Sequence, residues 1–153
     1  MTFADNTTVP VERSRAEIER TLTRYGADAF GYAIRGDKAM VEFTIAARHV
    51  RFVLDLPDRT STRFTHHSRG RRTESAALEA WEQACRQKWR ALALVVKAKL
   101  EATEAGISTV EQEFLAHVVL PNGSTVWEAT AAAIERSYQL GTVQPMLALP
   151  GGA

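Results

Sequence analysis

The chain lacks several features that would assign it to a common protein class. Its single cysteine, Cys85, cannot close an internal disulfide, and this fits a reducing compartment such as the cytoplasm. We expect Cys85 to pack as a small apolar side chain and not to act as a reactive thiol. No apolar run reaches the ~18 residues of a transmembrane helix, so we expect no membrane association.

Catalytic and cofactor signatures are missing as well. The sequence has no GxGxxG, P-loop, nucleophile elbow or HExxH pattern. His66 and His67 have no cysteine partner at metal-ligand spacing, which argues against a metal site. Asp55 and Asp58 flank Pro57, and we interpret them as turn and cap residues instead of the carboxylate pair of a nuclease. We therefore expect a protein that is not an enzyme and binds no metal or cofactor.

Charge, in contrast, is distributed very unevenly. Residues 59–99 contain ten basic and three acidic side chains, a net charge of +7, although the whole chain has a net charge of only +1. Residues 1–58 have a net charge of −1, and residues 100–153 have a net charge of −5. Such polarity predicts a polyanionic partner, most readily nucleic acid.

The hydrophobic pattern predicts an α+β domain with the element order α-β-β-β-α-α-α. Ser14 and Glu17 match a capping box that would begin a first helix ending at Gly26. Three segments with alternating apolar residues follow, centred on Tyr32, Phe43 and Phe52, and their short connections predict an antiparallel meander.

The longest predicted element is a helix from Glu74 to Ala105, with Thr73 as its N-cap and no glycine or proline inside it. Its apolar residues recur every three or four positions, so we expect it to cover the sheet, with Trp89 packed against Phe43 and Phe52. Two shorter helices follow, from near Thr109 and from Thr125. We read residues 1–12 as a flexible arm, 13–141 as the domain and 142–153 as a flexible tail.

The length of this helix also predicts self-association. About 32 residues at ~1.5 Å each span ~48 Å, whereas seven-residue strands span only ~23 Å. The apolar residues near its end, Val95, Val96 and Leu100, then need either the C-terminal helices or a second subunit. We therefore expect a homo-oligomer.

The basic residues fall in two places. Residues 58–73 show no apolar periodicity, and a loop of this length is usually functional or disordered. Its arginines offer the bidentate fork that suits phosphate oxygens, and Phe64 is the one side chain that could stack on a base. On the long helix, Arg86, Arg90 and Lys97 lie on one side of the cylinder. The predicted nucleic-acid-binding residues are Arg59, Arg63, Phe64, Arg69, Arg71, Arg72, Arg86, Arg90 and Lys97. In the alternative reading, the acidic C-terminal helices neutralise this basic surface and no ligand is implied.

Several stretches of the sequence resemble a family of small proteins from actinobacterial phages and prophages that has no assigned biochemical role. They are residues 25–28 (YGAD), 54–57 (LDLP), 89–102 (WRALALVVKAKLEA), 113–117 (EFLAH) and 120–123 (LPNG). The resemblance covers roughly residues 13–140 and implies a phage origin. In addition, a three-stranded meander followed by a long helix is similar in architecture to single-strand annealing proteins, whose DNA groove runs between sheet and helix.

These observations favour a phage-derived protein that binds nucleic acid, single-stranded DNA in particular, during replication or recombination. Its place would be the cytoplasm of the infected or lysogenic bacterial host. The alternative is a phage interaction protein that inhibits a host defence or regulatory factor or sequesters a nucleotide signal. A host protein is therefore the second expected class of partner.

Overall fold

A computed structural model describes residues 4–147 of the chain. Its elements are α1 (Val11–Arg24), β1 (Ala29–Arg35), β2 (Lys38–Ile45), β3 (Arg48–Asp55), α2 (Thr62–Thr65), β4 (His66–His67), β5 (Gly70–Arg71), α3 (Glu74–Glu104), α4 (Val110–Phe114), a 3-10 turn (Leu115–His117) and α5 (Val126–Leu140). The predicted α+β fold is confirmed, including the three-stranded sheet and the long helix. The small elements α2, β4 and β5 lie in the segment that was predicted to be an irregular loop.

The main sheet has the order β1-β2-β3, and both strand pairs are antiparallel. One face forms the core, with Val41 and Phe43 of β2 and Val50 and Phe52 of β3 buried. The β2–β3 connection is made by Ala46 and Ala47, both with positive φ angles. Such angles match the twist of a tight hairpin but are unfavourable for alanine, so this turn is held by the strands on either side of it.

Helix α1 begins earlier than the capping-box pattern predicts. Its N-cap is Pro10, whose backbone is extended and whose side chain makes no capping hydrogen bond. Ser14 instead lies inside the helix, fully buried, and its hydroxyl has no hydrogen-bond partner among the described residues. The prediction of Ser14 as the N-cap is therefore wrong, because Val11 also packs against the core and extends the apolar stripe of α1 by one turn.

Helix α3 follows its prediction closely. Thr73 is the N-cap, since its hydroxyl accepts a hydrogen bond from the Ala76 amide at 3.3 Å. Trp89 is only 2 % exposed and belongs to the same core as Phe43 and Phe52, which confirms its predicted burial. Its aromatic contact is with Tyr32, edge to face at a centroid distance of 6.4 Å.

The far half of α3 is covered within the same chain. Val96 and Leu100 are fully buried, and the rings of Phe43 and Phe52 pack edge to face on Phe114 of α4. Only Val95 of the predicted uncovered group is exposed, at 42 %. Helices α1 and α4 of the same chain pack against α3, so of the two sources of cover that the sequence left open, the C-terminal helices supply a part and a second subunit is not needed here. The homo-oligomer itself stays a prediction.

The N-terminal segment, residues 4–10, lies against α3. Ala4 is buried, and the side chains of Gln83 and Gln87 donate hydrogen bonds to the carbonyl oxygens of Thr7 and Asp5. Helix α1 therefore begins inside the span predicted as an arm, while the flexibility of arm and tail stays a prediction. Residues 1–3 of that arm and 148–153 of the predicted tail lie outside the described residues.

Candidate nucleic-acid interface

The basic segment between β3 and α3 is folded, and we call residues 58–73 the arginine hairpin. Its core is Phe64, which is 3 % exposed and lies in α2, an element that contacts α3. After α2, strands β4 and β5 form a two-residue ladder that pairs His66 with Arg71 and His67 with Gly70. Just before the hairpin, the Trp81 indole donates a 2.7 Å hydrogen bond to the Pro57 carbonyl. These contacts hold the segment on the N-terminal half of α3.

Four arginines of the hairpin are exposed to solvent: Arg59, Arg63, Arg69 and Arg71. Two of them lie over aromatic rings, Arg59 at 5.7 Å from the Trp81 ring centroid and Arg63 at 5.2 Å from that of Phe64. Residues 59–73 contain no acidic side chain, and none of the four arginines forms an ion pair within the described part of the chain. Their guanidinium groups are therefore open to an external anion.

Arg72 has a different role from its neighbours. It is partly buried, and its guanidinium donates hydrogen bonds of 3.2 and 3.1 Å to the carbonyl oxygens of Arg63 and Phe64. Its backbone amide donates to the Thr65 carbonyl at 2.8 Å. Arg72 thus closes the hairpin, and we assign to it a structural role in place of the predicted phosphate contact.

Phe64 cannot stack on a base in this structure, because its ring is buried beneath the hairpin. An isolated aromatic residue in a polar segment is equally typical of a binding platform and of a small local core, and sequence periodicity does not separate the two. The burial of Phe64 removes the one residue that favoured single strands over duplexes.

The basic residues of α3 are mostly engaged with other side chains. Arg90 forms an ion pair with Glu17 of α1 at 2.5 Å, with side chains 24 % and 31 % exposed. Arg86 donates hydrogen bonds of 2.9 and 2.6 Å to the Gln83 side chain. Two basic residues of α3, Lys88 and Lys97, are exposed without an ion pair among the residues the structure describes. Arg90 was predicted to bind phosphate, and its pairing with Glu17 makes it less available for that contact, which stays a prediction.

The hairpin and the predicted basic face of α3 also do not form one groove. At ~100° per residue, Arg86 lies roughly 160° around the helix from Lys88, and Lys88 shares a small crevice with Arg63 of the hairpin. Gln83 and Gln87 lie on the wider of the two arcs between Arg86 and Lys88, and they bind the N-terminal segment. That segment crosses α3 between the hairpin and Arg86, so Lys88 is the helix residue that extends the positive surface of the hairpin.

The residues considered for catalysis or metal binding are occupied by structural contacts. Asp55 accepts a hydrogen bond from Lys38, and this bond together with the lysine charge lowers the pKa of the Asp55 carboxyl. Asp58 accepts bonds from the amide and the hydroxyl of Thr60, at 2.8 and 2.7 Å, which lower its pKa. Burial, with a smaller effect of the Glu82 charge, raises the pKa of the Cys85 thiol. Across residues 4–147, no group of three or more His, Cys, Asp or Glu residues is arranged to hold a metal ion.

Sequence reasoning missed an apolar cleft of about 420 Å³ between α3, the start of α1 and the end of the sheet. Trp81, Cys85 and Trp89 of α3 form one wall, and Ile34 and Leu56 at the end of the sheet face them. The cleft exists because the apolar stripe of α3 continues past the end of the sheet and past the first turn of α1. The stripe itself is visible in the sequence, but the point at which its cover stops depends on how α1 and the sheet are placed.

Comparisons with known proteins add no assignment, since no family model, no curated protein and no solved structure matches this chain. Within the described residues, no helix has both the length and the apolar character needed to span a bilayer.

Proposed function

We propose that this protein binds nucleic acid, without catalysing a reaction, through contacts between phosphates and the arginine hairpin. The observation that supports this function best is that Arg59, Arg63, Arg69 and Arg71 have no acidic partner in the described part of the chain, while Arg90 and Lys99 of α3 do. Arginine matches phosphate oxygens in a bidentate geometry, and a rigid hairpin reduces the entropy lost on binding. Single-stranded DNA in phage replication or recombination, in the cytoplasm of the bacterial host, is the specific setting that we propose.

The buried position of Phe64 changes what is expected of this binding. Phosphate contacts position a nucleic acid without reading its bases, so affinity should vary little with sequence. Because the hairpin exposes no Phe, Tyr or Trp side chain, we expect only a modest preference for single strands over duplexes. A strong preference would point to stacking surfaces elsewhere in the chain.

A fluorescence anisotropy titration with labelled single- and double-stranded oligonucleotides, from about 50 to about 300 mM salt, tests the proposal. The Arg69→Ala/Arg71→Ala variant should bind more weakly, and each lost contact should reduce the log–log salt slope by ~0.7 for single strands or ~0.9 for duplexes. Arg13→Ala/Arg136→Ala is the matched control, because it removes the same charge from exposed positions outside the basic block. An affinity loss shared equally by both variants, or no binding by the wild type at low salt, would contradict the proposal.

The exposed apolar residues of α5 favour a second function, binding to a host protein. No residue of α5 is buried, and Trp127 and Tyr138 are 58 % and 85 % exposed. Exposed apolar patches are typical of protein interaction sites. If the oligonucleotides do not bind, this function becomes the leading one, and Trp127→Ser with Tyr138→Ser should then weaken capture of the host factor at all salt concentrations.

A further inference from the structure

The two edge strands of the main sheet differ in whether another part of the chain covers them. The outer edge of β3 is partly covered, since Val50 forms a bridge with Val118, and the Val119 amide donates to the His49 carbonyl at 2.8 Å. The outer edge of β1 has no strand beside it within the described residues. Half of the backbone amides and carbonyls of β1 therefore point away from β2 without a ladder partner.

Strand β1 also lacks the features that usually keep an edge strand from pairing. Its seven residues contain no proline and no acid, and its one charged residue, Arg35, is the last. Its register with β2 runs without a bulge from Ala29 to Arg35. Natural proteins generally protect a long edge strand with charges, prolines or bulges, so an unprotected one marks a site of strand pairing.

Two apolar side chains of β1 lie on the core face of the sheet but are exposed to solvent. Tyr32 and Ile34 lie directly opposite Val41 and Ala39, and directly opposed residues share a face of the sheet. Val41 and Ala39 are fully buried, whereas Tyr32 is 51 % and Ile34 is 56 % exposed. The core face is therefore left open along β1. On the other face β1 presents only small residues and Arg35, so an approaching strand meets no bulky side chain.

We infer that β1 is a dimer interface, at which it pairs antiparallel with β1 of a second copy about a two-fold axis at Tyr32. This register pairs all seven residues and keeps the helices of both copies on the same side of a six-stranded sheet. Tyr32 then lies opposite Tyr32 of the second copy, and Phe30 lies opposite Ile34. An isologous contact of this kind uses one surface twice and so forms a closed dimer.

The charges near this edge suit a second copy of the chain. In the inferred register, Arg35 lies opposite Ala29 of the second copy and one residue from its Asp28, so the strand ends carry opposite charges. Arg15 lies over the Tyr32 ring at 4.4 Å, close to the axis, and Glu12 balances its charge at 3.6 Å. No like charges lie directly opposite each other in this register. Such an opposition would destabilise self-pairing.

Sedimentation velocity at micromolar concentration, without nucleic acid, tests the interface. We expect the wild type to sediment with twice its 16.9 kDa chain mass. Ile34→Lys places a charge in the new interface at a position that is already half exposed, and it should shift the protein to monomer. Val53→Lys is the matched control, since Val53 is 44 % exposed on the opposite face of the sheet and away from β1. A monomeric wild type, or a dimer that Ile34→Lys leaves intact, would overturn the inference.

A disulfide test examines the register independently. Directly opposed residues have Cα atoms ~4.5–5.5 Å apart, within the range of a disulfide, whereas diagonal neighbours are ~7–8 Å apart. Tyr32→Cys should therefore crosslink to dimer under mild oxidation. Ala33→Cys, exposed on the same strand, should not, and neither should the wild type with its buried Cys85. Equal crosslinking of the two variants, or no crosslinking of Tyr32→Cys when that variant sediments as a dimer, would exclude this register.

Discussion

The two halves of α3 have different surroundings. The first buried residue of the helix is Ala84, so its first ten residues contribute nothing to the core. In this stretch Trp81 donates a hydrogen bond to the Pro57 carbonyl, next to the arginine hairpin, and Gln83 donates one to the Thr7 carbonyl of the N-terminal segment. The second half is packed on several sides, with Leu92, Ala93, Val96 and Leu100 buried. One helix therefore serves as a scaffold for a surface feature at one end and as a central core element at the other.

Charge follows the same division. In the second half, Arg90 pairs with Glu17 and Lys99 pairs with Glu113. Around the first half, the exposed arginines of the hairpin have no acidic partner in the described structure. Mean charge along the sequence does not distinguish these two situations, because both halves belong to one block of net positive charge. A basic block thus indicates binding only where the fold leaves it unpaired.

The largest expected effect is at Trp89, where the two halves meet. Trp89→Ala should lower the free energy of unfolding by about 3–5 kcal/mol, because it leaves a cavity in the core. Trp81→Ala is the comparison variant, since Trp81 is only partly buried and should cost clearly less. Urea denaturation followed by circular dichroism measures both. Equal losses for the two tryptophans would mean that the first half of α3 contributes to the core as much as the second.

A smaller effect is expected at Arg90. Arg90→Ala should lower the free energy of unfolding by about 1 kcal/mol, because it removes a partly buried ion pair with Glu17. It should leave oligonucleotide affinity and salt slope unchanged, unlike Arg69→Ala/Arg71→Ala. A double-mutant cycle with Glu17→Gln isolates the coupling between the two side chains. If Arg90→Ala instead weakens binding as much as the hairpin variant, both halves of α3 take part in the interface.

Much of this architecture can be predicted from the sequence, because local periodicity determines it. The alternation around Phe43 and Phe52 defines two strands, and the three-to-four spacing through Trp89 and Leu100 defines the apolar stripe of α3. The position of Ser14 shows the limit of such patterns. A serine followed by Glu17 matches a capping box, but burial of the preceding turn against the core moves the helix start to Val11.

The candidate site is harder to predict, because its geometry depends on contacts between distant parts of the chain. The Arg90–Glu17 pair joins residues 73 positions apart, and the Gln83 bond to the Thr7 carbonyl joins residues 76 apart. Neither contact leaves a trace in spacing or composition. The same holds for Phe64, whose burial depends on how the hairpin folds back onto α3.

The smallest expected effect is a pH dependence at the packed end of the molecule. The His117 ring stacks on Phe52 at a centroid distance of 3.9 Å. Burial lowers the pKa of His117 below its usual 6.5, and the Lys99 charge lowers it further by a smaller amount. A hydrogen bond to the Arg51 backbone has the opposite effect and only partly offsets this lowering of the pKa. The unfolded chain therefore binds a proton more readily than the folded protein does. The contribution of neutral His117 to the stability of the fold is fully present above pH 6.5, and it is lost as the pH falls through the lower pKa that His117 has in the folded protein.

Thermal unfolding measured from about pH 7.5 to about pH 5 checks this sign. The wild type should lose stability toward acid, and His117→Gln, which cannot take up the proton, should lose less over the same interval. If His117→Gln instead loses as much stability toward acid as the wild type, the proton that destabilises the folded protein is not taken up by His117, and the pH dependence does not belong to the packed end of the molecule.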